Sequence, residues 1–152
     1  MPTTSSTHAS PSPVIGSWRL VSFELRDEAG TVSRPWGDEV SGLLTHSVDG
    51  YLSEQFSSAH RPKLTHDDWV SASATEIDLA ARHYFAYAGS YEIDGQAVIY
   101  HIDESLMPNW VGKIERRFWS VSGEILTITT PSLLVGGKQQ VATLVWKRAE
   151  KR

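Results

Sequence analysis

From residue 90 to the C-terminal lysines and arginines the chain keeps to a two-residue rhythm. Runs of alternating side chains at 90–93, 97–105, 111–121, 125–130 and 139–148 succeed one another. Each break is a turn: Asp94-Gly95, Pro108-Asn109, Ser122-Gly123-Glu124, Pro131 and Val135-Gly136-Gly137-Lys138. Connections this short make neighbouring strands antiparallel. A meander of that kind leaves two open edges unless it closes on itself, so this feature selects an up-and-down barrel over an open sheet.

The first half supplies further strands. Residues 16–25 open with Gly16 and Trp18. Simple alternation puts Trp18, Leu20, Ser22 and Glu24 on one face and Arg19, Val21, Phe23 and Leu25 on the other. Residues 31–33 read as a short return strand, stopped by Pro35-Trp36-Gly37-Asp38. Residues 41–46 and 51–56 flank Asp49-Gly50, a second hairpin signal. Residues 57–69 are polar loop. Ser73-Ala74-Thr75-Glu76 fits a capping box, and a helix is predicted over about residues 75–88. Ile77, Ala80, Ala81, Tyr84 and Ala88 lie on one stripe, and Gly89 stops the helix. The expectation is an all-β, up-and-down antiparallel barrel of about eight or nine strands with one helix.

Bulk properties narrow the function. At 152 residues one domain is expected, at 14–148, between a disordered tail at 1–13 and a short tail at 149–152. The net charge of −4, with scattered Lys and Arg, gives no footprint for nucleic acid. Residues 1–13 are rich in Ser, Thr and Pro and lack the apolar core of a signal peptide, and no segment has a membrane-spanning length of apolar residues. The absence of Cys removes disulfides, thiolate metal sites and a Cys nucleophile and fits a cytoplasmic protein. Six Trp and five Tyr suit a cavity for a hydrophobic or aromatic ligand. A homodimer is compatible with the sequence.

Several stretches together resemble the small lipocalin-like domain proteins of bacteria and fungi. They are Gly16-Ser17-Trp18-Arg19-Leu20-Val21-Ser22-Phe23-Glu24, Asp49-Gly50-Tyr51-Leu52-Ser53 and Tyr87-Ala88-Gly89-Ser90-Tyr91-Glu92-Ile93. Ser105-Leu106-Met107-Pro108-Asn109-Trp110-Val111-Gly112, Leu126-Thr127-Ile128-Thr129-Thr130 and Leu144-Val145-Trp146-Lys147-Arg148 complete the set. The likeness spans about residues 14–148, and the Asn109-Trp110 segment is its most specific part. It implies a calycin-type barrel with an internal cavity. Trp18 would plug the closed end, and Arg148 would lie over it. Related small barrels serve natural-product pathways as cofactor-free cyclases or isomerases, a fold-level analogy. The Gly-rich haem pattern of some small barrels is absent, since Leu20 and Ser22 occupy its glycine positions. There is no phosphate loop, Gly-x-Ser-x-Gly or dinucleotide fingerprint, so no cofactor is expected.

On the strand 97–105, parity puts His101, Asp103 and Ser105 on one face, about 7 Å apart between neighbours. Val98, Tyr100 and Ile102 share the other with Tyr91 and Ile93. Residues alone leave open which face is inside. The resemblance favours His101 facing in, as a proton-transfer group beside Asp103. Arg117 shares a face with Glu115 and Trp119 and is the candidate to polarise a ligand carbonyl. Its partner would be Glu24, Glu115, Asp103 or the ligand itself. Trp110 and Asn109 are candidates for the mouth, Tyr84 for a helix-borne cap, and Gln55, Ser53 and Ser105 for polar lining. His60, His66, Asp67, Asp68 and His83 match no defined metal spacing. The expected function is binding of a hydrophobic small molecule. A cofactor-free cyclase or isomerase of a polyketide- or terpenoid-like intermediate is the leading form, and a non-catalytic carrier the alternative.

Overall fold

A computed structural model describes residues 11–152; residues 1–10 of the predicted tail lie outside that range. Eight antiparallel strands close into a barrel: β1 (Gly16–Asp27), β3 (Val40–His46), β4 (Tyr51–Ser58), β5 (Tyr84–Asp94), β6 (Ala97–Ser105), β7 (Ile114–Ser122), β8 (Ile125–Thr129) and β10 (Lys138–Arg148). Closure comes from β10 returning to β1, with pairing from Trp18↔Arg148 to Asp27↔Gln140. Two short strands flank this seam: β2 (Val32–Ser33) pairs with β1 and β9 (Leu133–Val135) with β10. No strand of the barrel proper is left with an open edge.

One end is sealed. Trp18 is fully buried and donates its indole N–H to the Val14 carbonyl at 3.1 Å, and Val14 is itself fully buried. The Arg148 guanidinium lies 4.1 Å from the centre of the Trp18 ring, and its N–H groups reach the carbonyls of Ile15 and Pro13. His46 adds a bond between Nδ1 and the Val14 carbonyl at 3.0 Å, while its Nε2 meets the Tyr100 hydroxyl at 2.7 Å. The carbonyl can only accept, so Nδ1 donates; burial lowers the ring from 6.5 to about 4, so it is neutral and Nε2 accepts from the Tyr100 hydroxyl. Leu44, Leu126, Leu144 and Trp146 fill the space above.

The helix is shorter than periodicity predicts. The capping box at Ser73 and Glu76 forms, but α1 covers Ala74–Arg82 and ends at His83. Tyr84 and Tyr87 belong to β5, not to a helix. The Tyr-Phe-Ala-Tyr run satisfies a 3.6-residue stripe and an alternating strand alike. A full ladder from Tyr51↔Ser90 to Ser57↔Tyr84 against β4 decides for strand. Gly89 therefore sits inside a strand rather than capping a helix.

Two bulges revise the face assignments. The β1–β10 register shifts between Leu20 and Ser22, so Phe23 and Leu25 join Trp18 and Leu20 on the buried side. The β5–β6 register shifts between Ala88 and Gly89, where Asp103 is the extra residue of β6. A two-residue turn on Asp94-Gly95 would set Tyr91 opposite Val98; the hairpin instead turns on Gly95 and Gln96, with Gly95 at φ 59°, so Tyr91 pairs with Tyr100. That slip moves each partner by two, and so Tyr91, Val98, Tyr100 and Ile102 keep a common face.

Candidate functional site

The open end leads to a cavity of about 470 Å³, within the range usual for small-molecule sites. The loop holding Pro35 and Trp36, Met107, the end of α1 at Arg82, and the β9 hairpin rim it. Its walls are aromatic. Phe85 and Trp110 meet with ring centres 4.9 Å apart, Tyr87 and Trp110 at 5.6 Å, and Phe23 and Trp36 at 5.2 Å. Trp110 is placed by a 3-10 turn, Pro108–Trp110, started by the fixed φ of Pro108 and held by the Ser105 hydroxyl, which accepts from the Met107 N–H at 3.1 Å.

Besides Arg82 at the rim and Thr130, whose hydroxyl accepts from the Ala142 N–H, three polar side chains interrupt this apolar wall: Glu54 on β4, Tyr87 on β5 and Arg117 on β7. All three are buried, Glu54 and Arg117 to 3% exposure. Arg117 donates through Nη1 to Glu115 at 3.2 Å and to the Arg116 carbonyl at 3.0 Å, and its guanidinium lies 5.8 Å from the Trp110 ring centre. Tyr87 is the cross-strand partner of Glu54. Burial pushes the Glu54 carboxyl up to about 7, against the opposing pull of Tyr87 and Arg117. Burial, reinforced by the Glu54 charge, also raises the Tyr87 and Tyr100 hydroxyls well above the ordinary tyrosine value. For Arg117 desolvation disfavours the charge. Tyr87, Glu54 and Glu115 outweigh it, so the guanidinium stays charged.

Of the residues expected from sequence, Arg117 and Trp110 line this cavity together, and Arg117 has Glu115 as its ion-pair partner. Glu24 instead pairs with Arg34 at 2.8 Å. His101 does not face in. It pairs with Ser90 and Ile114 on the outer wall, 3.5 Å from Glu92. The apolar file of Val98, Tyr100 and Ile102 takes the interior because its burial outweighs any gain from enclosing a solvated imidazole. Asp103 is exposed at its bulge, and that extra residue breaks the shared face with Ser105, which holds the turn before Trp110. Asn109 is exposed. Tyr84 lies outside, under the Arg61 guanidinium at 4.7 Å. Gln55 and Ser53 bond each other at 2.6 Å on the outer face of β4. His101→Ala is therefore expected to change neither ligand affinity nor stability by more than about 0.5 kcal/mol, as checked by titration and thermal melting.

Sequence reasoning missed Glu54. The signal was available: Leu52, Glu54 and Phe56 form the more apolar file of their strand, and a lone acid between two such residues is carried into the interior by them. Among the described residues no group of three or more His, Cys, Asp or Glu is placed to hold a metal ion, and no helix is long and apolar enough to cross a membrane.

A 4'-hydroxy-3'-methoxypropiophenone carrier protein of Aspergillus oryzae is 28% identical to this chain over 106 residues, which are 64% of this chain and 96% of that protein. A family model described as a lipocalin-like domain matches residues 15–149, from the strap that seals the barrel to the residue after β10. Closed barrel, sealed end and family match agree, and the chain belongs to the lipocalin-like domain family.

Proposed function

We propose that this protein binds a small aromatic molecule bearing ketone or phenol oxygens and carries it in the barrel cavity. The observation behind this reading is the cavity's composition. Phe23, Phe85 and Trp110 offer faces to a ring, and Glu54, Tyr87 and Arg117 offer a matched acceptor and donors to its oxygens. The similarity to a carrier of an aryl ketone supports the same ligand class. A cofactor-free cyclase or isomerase acting on such a molecule is a second reading, favoured by the ionisable pair of Glu54 and Arg117 within an apolar enclosure.

Titration with 4'-hydroxy-3'-methoxypropiophenone, followed by tryptophan fluorescence, tests the binding. Saturable quenching with an affinity weakened about tenfold or more in Trp110→Ala is expected, since one aromatic contact contributes about 0.5–1.5 kcal/mol beyond its buried area. No saturable change, together with no shift in melting temperature, overturns the reading.

A further inference from the structure

We propose that the cavity enolises aryl ketones, with Glu54 as the base at the carbon next to the carbonyl and Arg117 as the donor to the carbonyl oxygen. This rests on the ligand class proposed above and names a reaction for it.

The geometry has three parts. First, the acid and the cation come from different walls, β4 and β7, and both reach the same cavity. A ketone's acidic carbon and its oxygen are both bonded to the carbonyl carbon, so base and oxygen donor must act at atoms two bonds apart. Glu54 and Arg117 line one enclosure, near enough for the Arg117 charge to favour the Glu54 carboxylate, which suits that requirement. Second, Arg117 is only partly committed. Its bonds to Glu115 and to the Arg116 carbonyl both use Nη1, so Nε and Nη2 are the donors left for a ligand oxygen. Third, Glu54 is oriented. Tyr87 is its cross-strand partner on β5, and the side chain is buried on the file of Leu52 and Phe56. Aromatic walls at Phe85 and Trp110 would hold the ring while the ketone arm reaches this pair.

The step balances without a cofactor. The Glu54 carboxylate takes a proton from the α carbon. The C–H electron pair becomes the C=C bond, and the carbonyl π pair moves to oxygen, where Arg117 offsets the negative charge. Return of a proton from Glu54 to carbon regenerates the ketone. In D₂O the acid exchanges its proton with solvent through the open mouth, and each cycle returns deuterium. Burial favours both halves: it raises the basicity of Glu54 toward neutrality and strengthens the Arg117 interaction with an enolate.

The experiment follows the α-methylene proton signal of 4'-hydroxy-3'-methoxypropiophenone by NMR in D₂O with substoichiometric protein; the β-methyl protons, which do not exchange, serve as the internal standard. Loss of the methylene signal faster than in matched buffer is expected, slowed roughly 100-fold or more in Glu54→Gln. That variant's affinity is measured separately by fluorescence, and its exchange is compared with wild type at saturating ligand, so that weaker binding is not read as slower proton transfer. With 3',4'-dimethoxypropiophenone, which has no ionisable phenol, the wild-type rate above buffer should rise with pD through a single ionisation near neutrality. Arg117, Tyr87, Tyr100 and Glu115 are the charged or titratable groups around Glu54, and of these the two tyrosines and Arg117 ionise well above that range. The pD profile needs no variant and so keeps the test valid if Glu54→Gln misfolds. Binding without exchange above buffer overturns the proposal and leaves the carrier reading standing. Exchange that survives intact in a folded Glu54→Gln overturns the role of Glu54. Absence of binding overturns the carrier reading and this inference together.

Discussion

Glu54→Gln turns a nearly flat profile of stability against pH into a sloping one. Two buried groups with opposite shifts cause this. Burial lowers His46 from 6.5 to about 4 despite its bond to the Val14 carbonyl, and raises Glu54 from 4.5 to about 7. Between about pH 4 and 6.5 the unfolded chain holds a proton on His46 that the folded state lacks, so this group makes stability rise with pH. Between about pH 4.5 and 7 the folded state holds a proton on Glu54 that the unfolded chain lacks, so that group makes stability fall with pH. Over the shared window the two slopes, each about 1.4 kcal/mol per pH unit, cancel. Removing the Glu54 carboxyl leaves the His46 slope alone. Relative to wild type, Glu54→Gln gains about 3 kcal/mol between pH 4 and pH 8. Urea unfolding at half-unit pH steps reads this directly. A wild-type profile that already slopes as steeply as the variant's would refute the assignment. His46→Asn should show the mirror image, with stability falling as pH rises from 4.5 to 7.

Gly89→Ala is the second large effect, and it comes from backbone meeting backbone. A Cβ at Gly89 would lie 1.8 Å from the His101 carbonyl oxygen, 2.9 Å from its carbon and 3.0 Å from the Asp103 nitrogen. No side-chain rotation relieves such a contact. β6 would have to move away from β5 at the point where the bulge sets their register. A loss of about 3 kcal/mol or more is expected, at or above the upper end for overpacking, because ladder hydrogen bonds go with the space. Gly95→Ala is the useful comparison. Nothing lies within 4 Å of its Cβ position, so its cost is the positive φ alone, about 1 kcal/mol. Equal denaturant midpoints for the two variants would show that β6 yields easily here. Because Tyr87 and Tyr100 sit on either side of this crossing, Gly89→Ala should also weaken ligand binding more than its Tm alone suggests.

The barrel was legible in the chain because its evidence is repetitive and local. Alternation and tight turns recur, and each hairpin at Gly50, Gly95 and Gly123 carries a glycine with positive φ that marks where the strand reverses. The failures came where a rule of period two met an extra residue. At Val21 and at Asp103 a single bulge moves everything beyond it to the other face, and no side chain announces a bulge. The helix failed at its C-terminal end for a related reason: Tyr84 to Tyr87 suits both periods locally, and only the distant β4 ladder chooses.

The site was half legible on the same grounds. Arg117 could be chosen because a charged residue sharing a face with Trp119 must either be paired or bind something. Trp110 could be chosen because Pro108 fixes the turn that delivers it. Glu54 went unread because its strand also offers Ser53 and Gln55, which look like lining and in fact bond each other on the outer wall. His101 misled for the opposite reason. It has chemistry to offer, yet its neighbours Tyr100 and Ile102 have more apolar area to bury, and the strand turned to suit them.

The strap that seals the barrel also fixes how the molecule can be attached to anything else. Residues 13–15 are tied to Arg148, and the Ala149 N–H bonds the Ser17 carbonyl, so both flanks of the barrel leave from the sealed pole, opposite the mouth. A surface, tag or second domain joined directly at either flank sits at the pole away from the entrance. With a linker too short to reach round the barrel, a fused enzyme would exchange ligand with it by release and recapture.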